Sequence, residues 1–125
     1  MAFLVTGVFG FSGSYVAREL LDRGYEVVGT DLTKSLSDPQ LRLIAERIGL
    51  KLDHPKLTLV GADLLDPASL EPLVAAKPER IYHTASLYDY SASLETLRRI
   101  NVEGTRNLLR AIEGRYPKRF IHWST

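Results

Sequence analysis

Three glycines spaced by threes, Gly7, Gly10 and Gly13, stand between an apolar run and an amphipathic one. No other feature narrows the fold as much. Phe3-Leu4-Val5 is a short apolar run closed by Thr6-Gly7 and reads as a buried strand. After the glycines, Val16, Ala17, Leu20 and Leu21 fall on one helical face. Arg23 sits in the last turn of that helix, and Gly24 is the expected stop. Residues 25–29 form a second strand ending at Thr30-Asp31. The first 31 residues thus read strand, glycine turn, helix, strand, acid, which is one βαβ unit.

The pattern continues. Residues 32–39 read as a polar connection. Asp38-Pro39 then opens a helix over 40–50, on Leu41, Ile44, Ala45 and Ile48. Residues 57–60 form a third strand leading to Gly61-Ala62-Asp63. Asp66-Pro67 is a second helix opening, and Pro72 pushes the helix proper to about 69–76. Residues 80–85 read as a fourth strand and 119–123 as a fifth. Between them, 92–114 is the longest helix, with Leu97, Ile100, Asn101, Gly104, Thr105, Leu108 and Ile112 on one face. Asn101 therefore points inward, where its amide needs partners. Gly104 in mid-helix costs about 1 kcal/mol against Ala and implies close helix–sheet approach. Strands alternating with helices imply a parallel sheet, order 3-2-1-4-5, with helices on both faces. Such sheets bind ligands beyond the carboxyl ends of their strands.

Composition excludes several classes. With 125 residues the chain suits one domain. It has no cysteine, so disulfides, thiolate metal sites and Cys nucleophiles drop out. The net charge of +1 is spread evenly, and the arginines of 98–119 alternate with glutamates as on a solvated helix face, so no nucleic-acid partner is expected. No stretch is apolar enough for a membrane span, and the N-terminus has no leader pattern. A cytoplasmic location is the default expectation.

The glycines carry the chemistry. Gly7 allows a tight turn, Gly10 lets a ligand approach the backbone, and Gly13 lets the helix pack closely. The helix N-terminus, with the Phe11 and Ser12 amides, then faces a pyrophosphate. Asp31 lies eighteen residues after Gly13, at the end of the second strand. A carboxylate there accepts the two adenosine-ribose hydroxyls and repels a 2′-phosphate, which favours NAD over NADP. Lys34 nearby keeps that choice open, and a solvated turn or a helix cap is the other reading of Asp31.

Thr6-Gly7-x-x-Gly10-x-x-Gly13 resembles the extended branch of the short-chain dehydrogenase/reductase family. Later segments extend the resemblance over essentially the whole chain. It implies that Asp63-Leu64 holds the adenine, with helix capping as the alternative for Asp63, although Asp66 suits capping better. It implies that His83-Thr84-Ala85-Ser86 runs beside the cofactor riboses, with Ala85 and Ser86 on the path to the nicotinamide. His83 by itself reads more readily as a packed core histidine than as a catalytic one. Asn101-Val102-Glu103-Gly104-Thr105 resembles the long-helix motif in which Asn supports the active site. Thr125 matches the catalytic Ser/Thr position. The implied fold is a Rossmann-type doubly wound parallel sheet, with five strands in this stretch.

The pattern also breaks. The family's Tyr-x-x-x-Lys pair supplies an acid/base tyrosine and a lysine that lowers its pKa. None of the six tyrosines here has a lysine four places on. The expectation is therefore the incomplete N-terminal, NAD-binding part, residues 1–125, of a longer homodimeric oxidoreductase, epimerase or dehydratase. That parent would act by hydride transfer on a secondary alcohol or ketone of nucleotide-sugar, steroid or flavonoid type. The rival from another class is a non-catalytic dinucleotide sensor or scaffold.

Overall fold

Period-two burial dictates the layers. In the computed structural model, which describes residues 2–115 and 117–123, β1 (Ala2–Thr6) sends Phe3 and Val5 to one face and Leu4 to the other. β2 (Glu26–Asp31) splits Val27 and Val28 in the same way. β3 (Leu57–Gly61), β4 (Arg80–His83) and β5 (Arg119–His122) complete a five-stranded sheet, and every neighbouring pair is parallel. The strand order is β3-β2-β1-β4-β5, the order expected from the alternation of elements.

One face is covered by α1 (Phe11–Asp22) and α3 (Pro39–Ile48), through Ala17, Leu20, Leu21 and Ala45. The other is covered by α4 (Glu71–Ala75) and α6 (Gly104–Ile112), through Leu73, Val74, Leu108 and Ile112. Among the described residues, no helix is long and apolar enough to cross a membrane.

Local chemistry sets the element ends. Gly24 and Gly49 close α1 and α3 with φ of 86° and 101°, a left-handed backbone that glycine adopts without strain. The Asp38 carboxylate accepts the Gln40 and Leu41 amides at 2.9 and 3.4 Å, with Pro39 at the first helical position.

Several expectations need correction. Residues 32–39 are more than a connection: Ser35 and Leu36 donate to the Leu32 carbonyl, which makes Thr33–Leu36 a helical turn, α2. Ile44 is 43% exposed, because α3 packs from one side only. The helix after β3 begins as a 3-10 turn, Pro67–Leu70, and Pro72 then falls in the first turn of α4, where its missing N–H costs nothing. The long helix is interrupted. Ser93 caps α5 (Leu94–Arg98), a π turn spans Arg99–Glu103, and α6 follows. Gly104 admits the half-buried side chain of Leu64, whose Cβ would lie 3.0 Å from an added Cβ, so its close approach is to the loop after β3 and not to a strand.

Candidate dinucleotide site

The carboxyl ends of β1, β2, β3 and β4 open onto a cleft of about 740 Å³, lined by Gly7, Gly10, Asp31, Asp63, Leu64, Ala85 and Ser86 among others. Small-molecule sites commonly measure about 300–1,000 Å³. Seven of the residues singled out from sequence therefore meet in one place, although they come from four separate strand ends.

The glycine turn is held from several sides. Gly7 has φ of 64°, and a Cβ there would lie 2.8 Å from Ala85 Cα. At Gly13 a Cβ would fall 2.0 Å from the Gly7 carbonyl oxygen and 2.9 Å from Thr84 Oγ1. Gly13 therefore seats α1 on the turn. Gly10 is different: an added Cβ would meet only the Gly7 carbonyl oxygen, at 3.2 Å, so its outer side is open. The Gly10 carbonyl accepts the Ser14 amide, and no side chain caps the helix there. The Phe11, Ser12 and Gly13 amides, the first of α1, have no acceptor within the helix. They follow Gly10 directly and carry the partial positive charge of the helix start, although Phe11, Ser12 and Gly13 are not among the residues that line the cleft.

Asp31 closes the far side. Its Oδ2 accepts the Phe9 amide at 3.1 Å and its Oδ1 the Leu32 amide at 2.9 Å. The carboxylate thereby ties the glycine turn to the end of β2. It retains acceptor capacity on both oxygens. Lys34 is exposed on α2.

Asp63 is exposed, and its Oδ1 accepts the Leu65 amide at 2.9 Å. The Asp66 carboxylate makes no cap. The expectation that Asp66 suits capping better is thus reversed: Asp63 orders the turn, and Ser69 Oγ fastens it by accepting the Asp63 amide and sharing its one hydrogen between the Asp63 and Asp66 carbonyls.

β4 ends at His83 instead of continuing to Ala85. The Thr84 hydroxyl turns back to the Thr6 carbonyl, and the Ala85 amide donates to Thr6 Oγ1 at 3.2 Å, so a side chain replaces the ladder. Two residues later the loop is held again. Asn101 Oδ1 accepts the Leu87 amide at 2.7 Å, and its Nδ2 donates to the Leu87 carbonyl at 3.0 Å. The inward amide is satisfied by the loop that lines the cleft, from a π turn that sets Asn101 at the right height.

His83 is 1% exposed. Its Nδ1 lies 2.7 Å from Thr6 Oγ1 and its Nε2 2.8 Å from Thr105 Oγ1. Burial, with a smaller contribution from nearby His122, pushes its pKa down from 6.5 to about 4, so the ring is neutral.

Thr125 lies outside the described residues. Sequence reasoning missed Thr6, Thr105 and Leu87 as parts of the site. Thr105 was legible from its spacing, since it follows Asn101 by four on the same helical face. Leu87 had no signal, because only its backbone takes part.

Comparison with known proteins identifies the family. Residues 3–125 match the NAD dependent epimerase/dehydratase family. The chain is 36% identical over 121 residues to cinnamoyl-CoA reductase 1 of Oryza sativa subsp. japonica, covering 97% of this chain and 33% of that protein. It is 32% identical over 126 residues to a 3-beta-hydroxysteroid dehydrogenase of Mycolicibacterium neoaurum, covering 95% of this chain and 30% of that protein. In structure it resembles UDP-glucuronic acid 4-epimerase from Bacillus cereus, solved in complex with UDP-glucuronic acid and NAD. The TM-score is 0.80 at 28% identity, over all of this chain and 40% of that one. The chain thus spans about a third of the length of the relatives it matches. It belongs to the NAD dependent epimerase/dehydratase family, within the extended short-chain dehydrogenases/reductases.

Proposed function

We propose that residues 1–125 form the NAD-binding part of an oxidoreductase, epimerase or dehydratase that works by hydride transfer at a secondary alcohol or ketone. The observation that carries this reading is the open glycine turn: Gly10 with free space on its outer side, the uncapped start of α1 directly after it, and the Asp31 carboxylate in the same cleft. These residues suit a dinucleotide, because the amides match a pyrophosphate and the carboxylate matches a ribose diol. When bound, the cofactor supplies the hydride chemistry and the protein orients it.

In this reading Gly7, Gly10 and Gly13, with the Phe11 and Ser12 amides, hold the pyrophosphate. Asp31 takes the adenosine ribose, and Asp63 and Leu64 border the adenine. Ala85 and Ser86 line the way to the nicotinamide, and Asn101 supports them through Leu87. Thr125 stands on the catalytic side by resemblance. The substrate is a nucleotide sugar or a steroid- or flavonoid-like alcohol, as the reductase, steroid-dehydrogenase and epimerase relatives favour. A cytoplasmic, homodimeric parent belongs to the same proposal and rests on the family resemblance.

Calorimetric titration with NADH and NADPH tests it. Saturable binding with NADH preferred is the expected result. Asp31→Ala weakens NADH binding by about tenfold or more, the size of one charge-assisted hydrogen bond, and narrows the gap to NADPH. A folded chain that binds neither, or an unchanged NADH/NADPH ratio in Asp31→Ala, overturns the reading or the role of Asp31 respectively.

A further inference from the structure

The hydrogen bonds around His83 run in one direction. Thr105 spends its only hydroxyl hydrogen on the Asn101 carbonyl, at 2.7 Å. Toward His83 it can therefore only accept, which puts the imidazole proton on Nε2. In a neutral ring Nδ1 is then the acceptor, so the Thr6 hydroxyl donates to it. That leaves the Thr6 oxygen to accept the Ala85 amide. The chain reads Ala85 N–H to Thr6 to His83 to Thr105 to the Asn101 backbone, and the Asn101 side chain then grips Leu87 on both sides. The Ala85 and Leu87 fastenings of loop 84–87 are thus joined through one imidazole, while the Thr84 hydroxyl holds to the Thr6 carbonyl outside that line.

We propose that His83 is a positioning residue: it couples Thr6, beside the glycine turn, to Thr105 on α6, and so holds loop 84–87 at the correct distance from the cofactor cleft. Burial excludes water from the link, and such bonds polarise one another in a low-dielectric interior. A histidine that merely filled space in the core would leave the two ends of the loop independent. The ligand readout below rests on the dinucleotide proposal, whereas the amide readout does not.

The test uses Thr105→Val, which keeps the shape and removes the hydroxyl, beside Thr105→Ser, which keeps the hydroxyl. Nitrogen NMR of wild-type His83 at neutral pH is expected to show the Nε2–H tautomer, and Thr105→Val to lose that single-tautomer signature. Amide exchange of both Leu87 and Ala85 is expected to quicken about fivefold to tenfold in Thr105→Val, as for one lost hydrogen bond. NADH binding weakens by a similar factor. Thr105→Ser restores all three. A second variant, His83→Phe, fills the same space but offers neither ring nitrogen, and should quicken exchange at Ala85 and Leu87 together. Wild-type exchange rates at Ala85 in Thr105→Val, or an Nδ1–H tautomer in the wild type, overturn the proposal. Coupled amides in a chain that never binds NADH leave it standing and overturn the dinucleotide reading instead.

Discussion

At the scale of single residues, His83 ties stability to pH. Its folded pKa of about 4 lies below its ordinary 6.5, so the folded state favours the neutral ring. That contribution is complete above pH 6.5 and is lost as pH falls through 6.5 toward 4, at up to about 1.4 kcal/mol per pH unit. His122, whose ring centroid lies 5.7 Å away on β5, adds to the effect by repulsion when both rings are charged. Urea unfolding at several pH values should show wild-type stability falling faster than that of His83→Gln across this window, and parallel curves would remove the assignment. The sequence offered two readings of His83, packed core or cofactor neighbour. It is packed, and its partners Thr6 and Thr105 lie 77 and 22 residues away. A single position in a strand carries no trace of such partners.

At the scale of elements, α1 depends on Gly13. A methyl group there meets the Gly7 carbonyl at 2.0 Å, a backbone atom that cannot step aside. Gly13→Ala should cost about 3 kcal/mol or more, at the upper end of overpacking, and a thermal melt checks it. At α3 the effect is smaller. Asp38→Ala removes the acceptor of the Gln40 and Leu41 amides and should cost about 1 kcal/mol, measured by the same melt. The Asp38 cap, the Gly24 stop and the glycine turn were legible because each is settled by neighbours within about four residues. The break in the long helix was not. Its π turn places Asn101 against Leu87, and that need arises from a loop fourteen residues earlier in the chain.

At the scale of the whole molecule, two cores hold the sheet between layers, and Leu108 lies fully buried in the one beneath α4 and α6. Leu108→Ala should cost about 2–5 kcal/mol, read as a drop in the urea midpoint. Residue order along the chain is enough to read the alternation of strands and helices and the glycine turn with its acid. These follow from hydrophobic period and from backbone freedom at defined positions, both of which are local. Packing in three dimensions decides that β4 stops at His83 and that Thr6, His83, Thr105 and Asn101 form one hydrogen-bonded line behind the cleft. The physical reason is that a buried polar group must find its partner wherever packing brings one within about 3 Å, and that distance is set by the fold and not by separation along the chain.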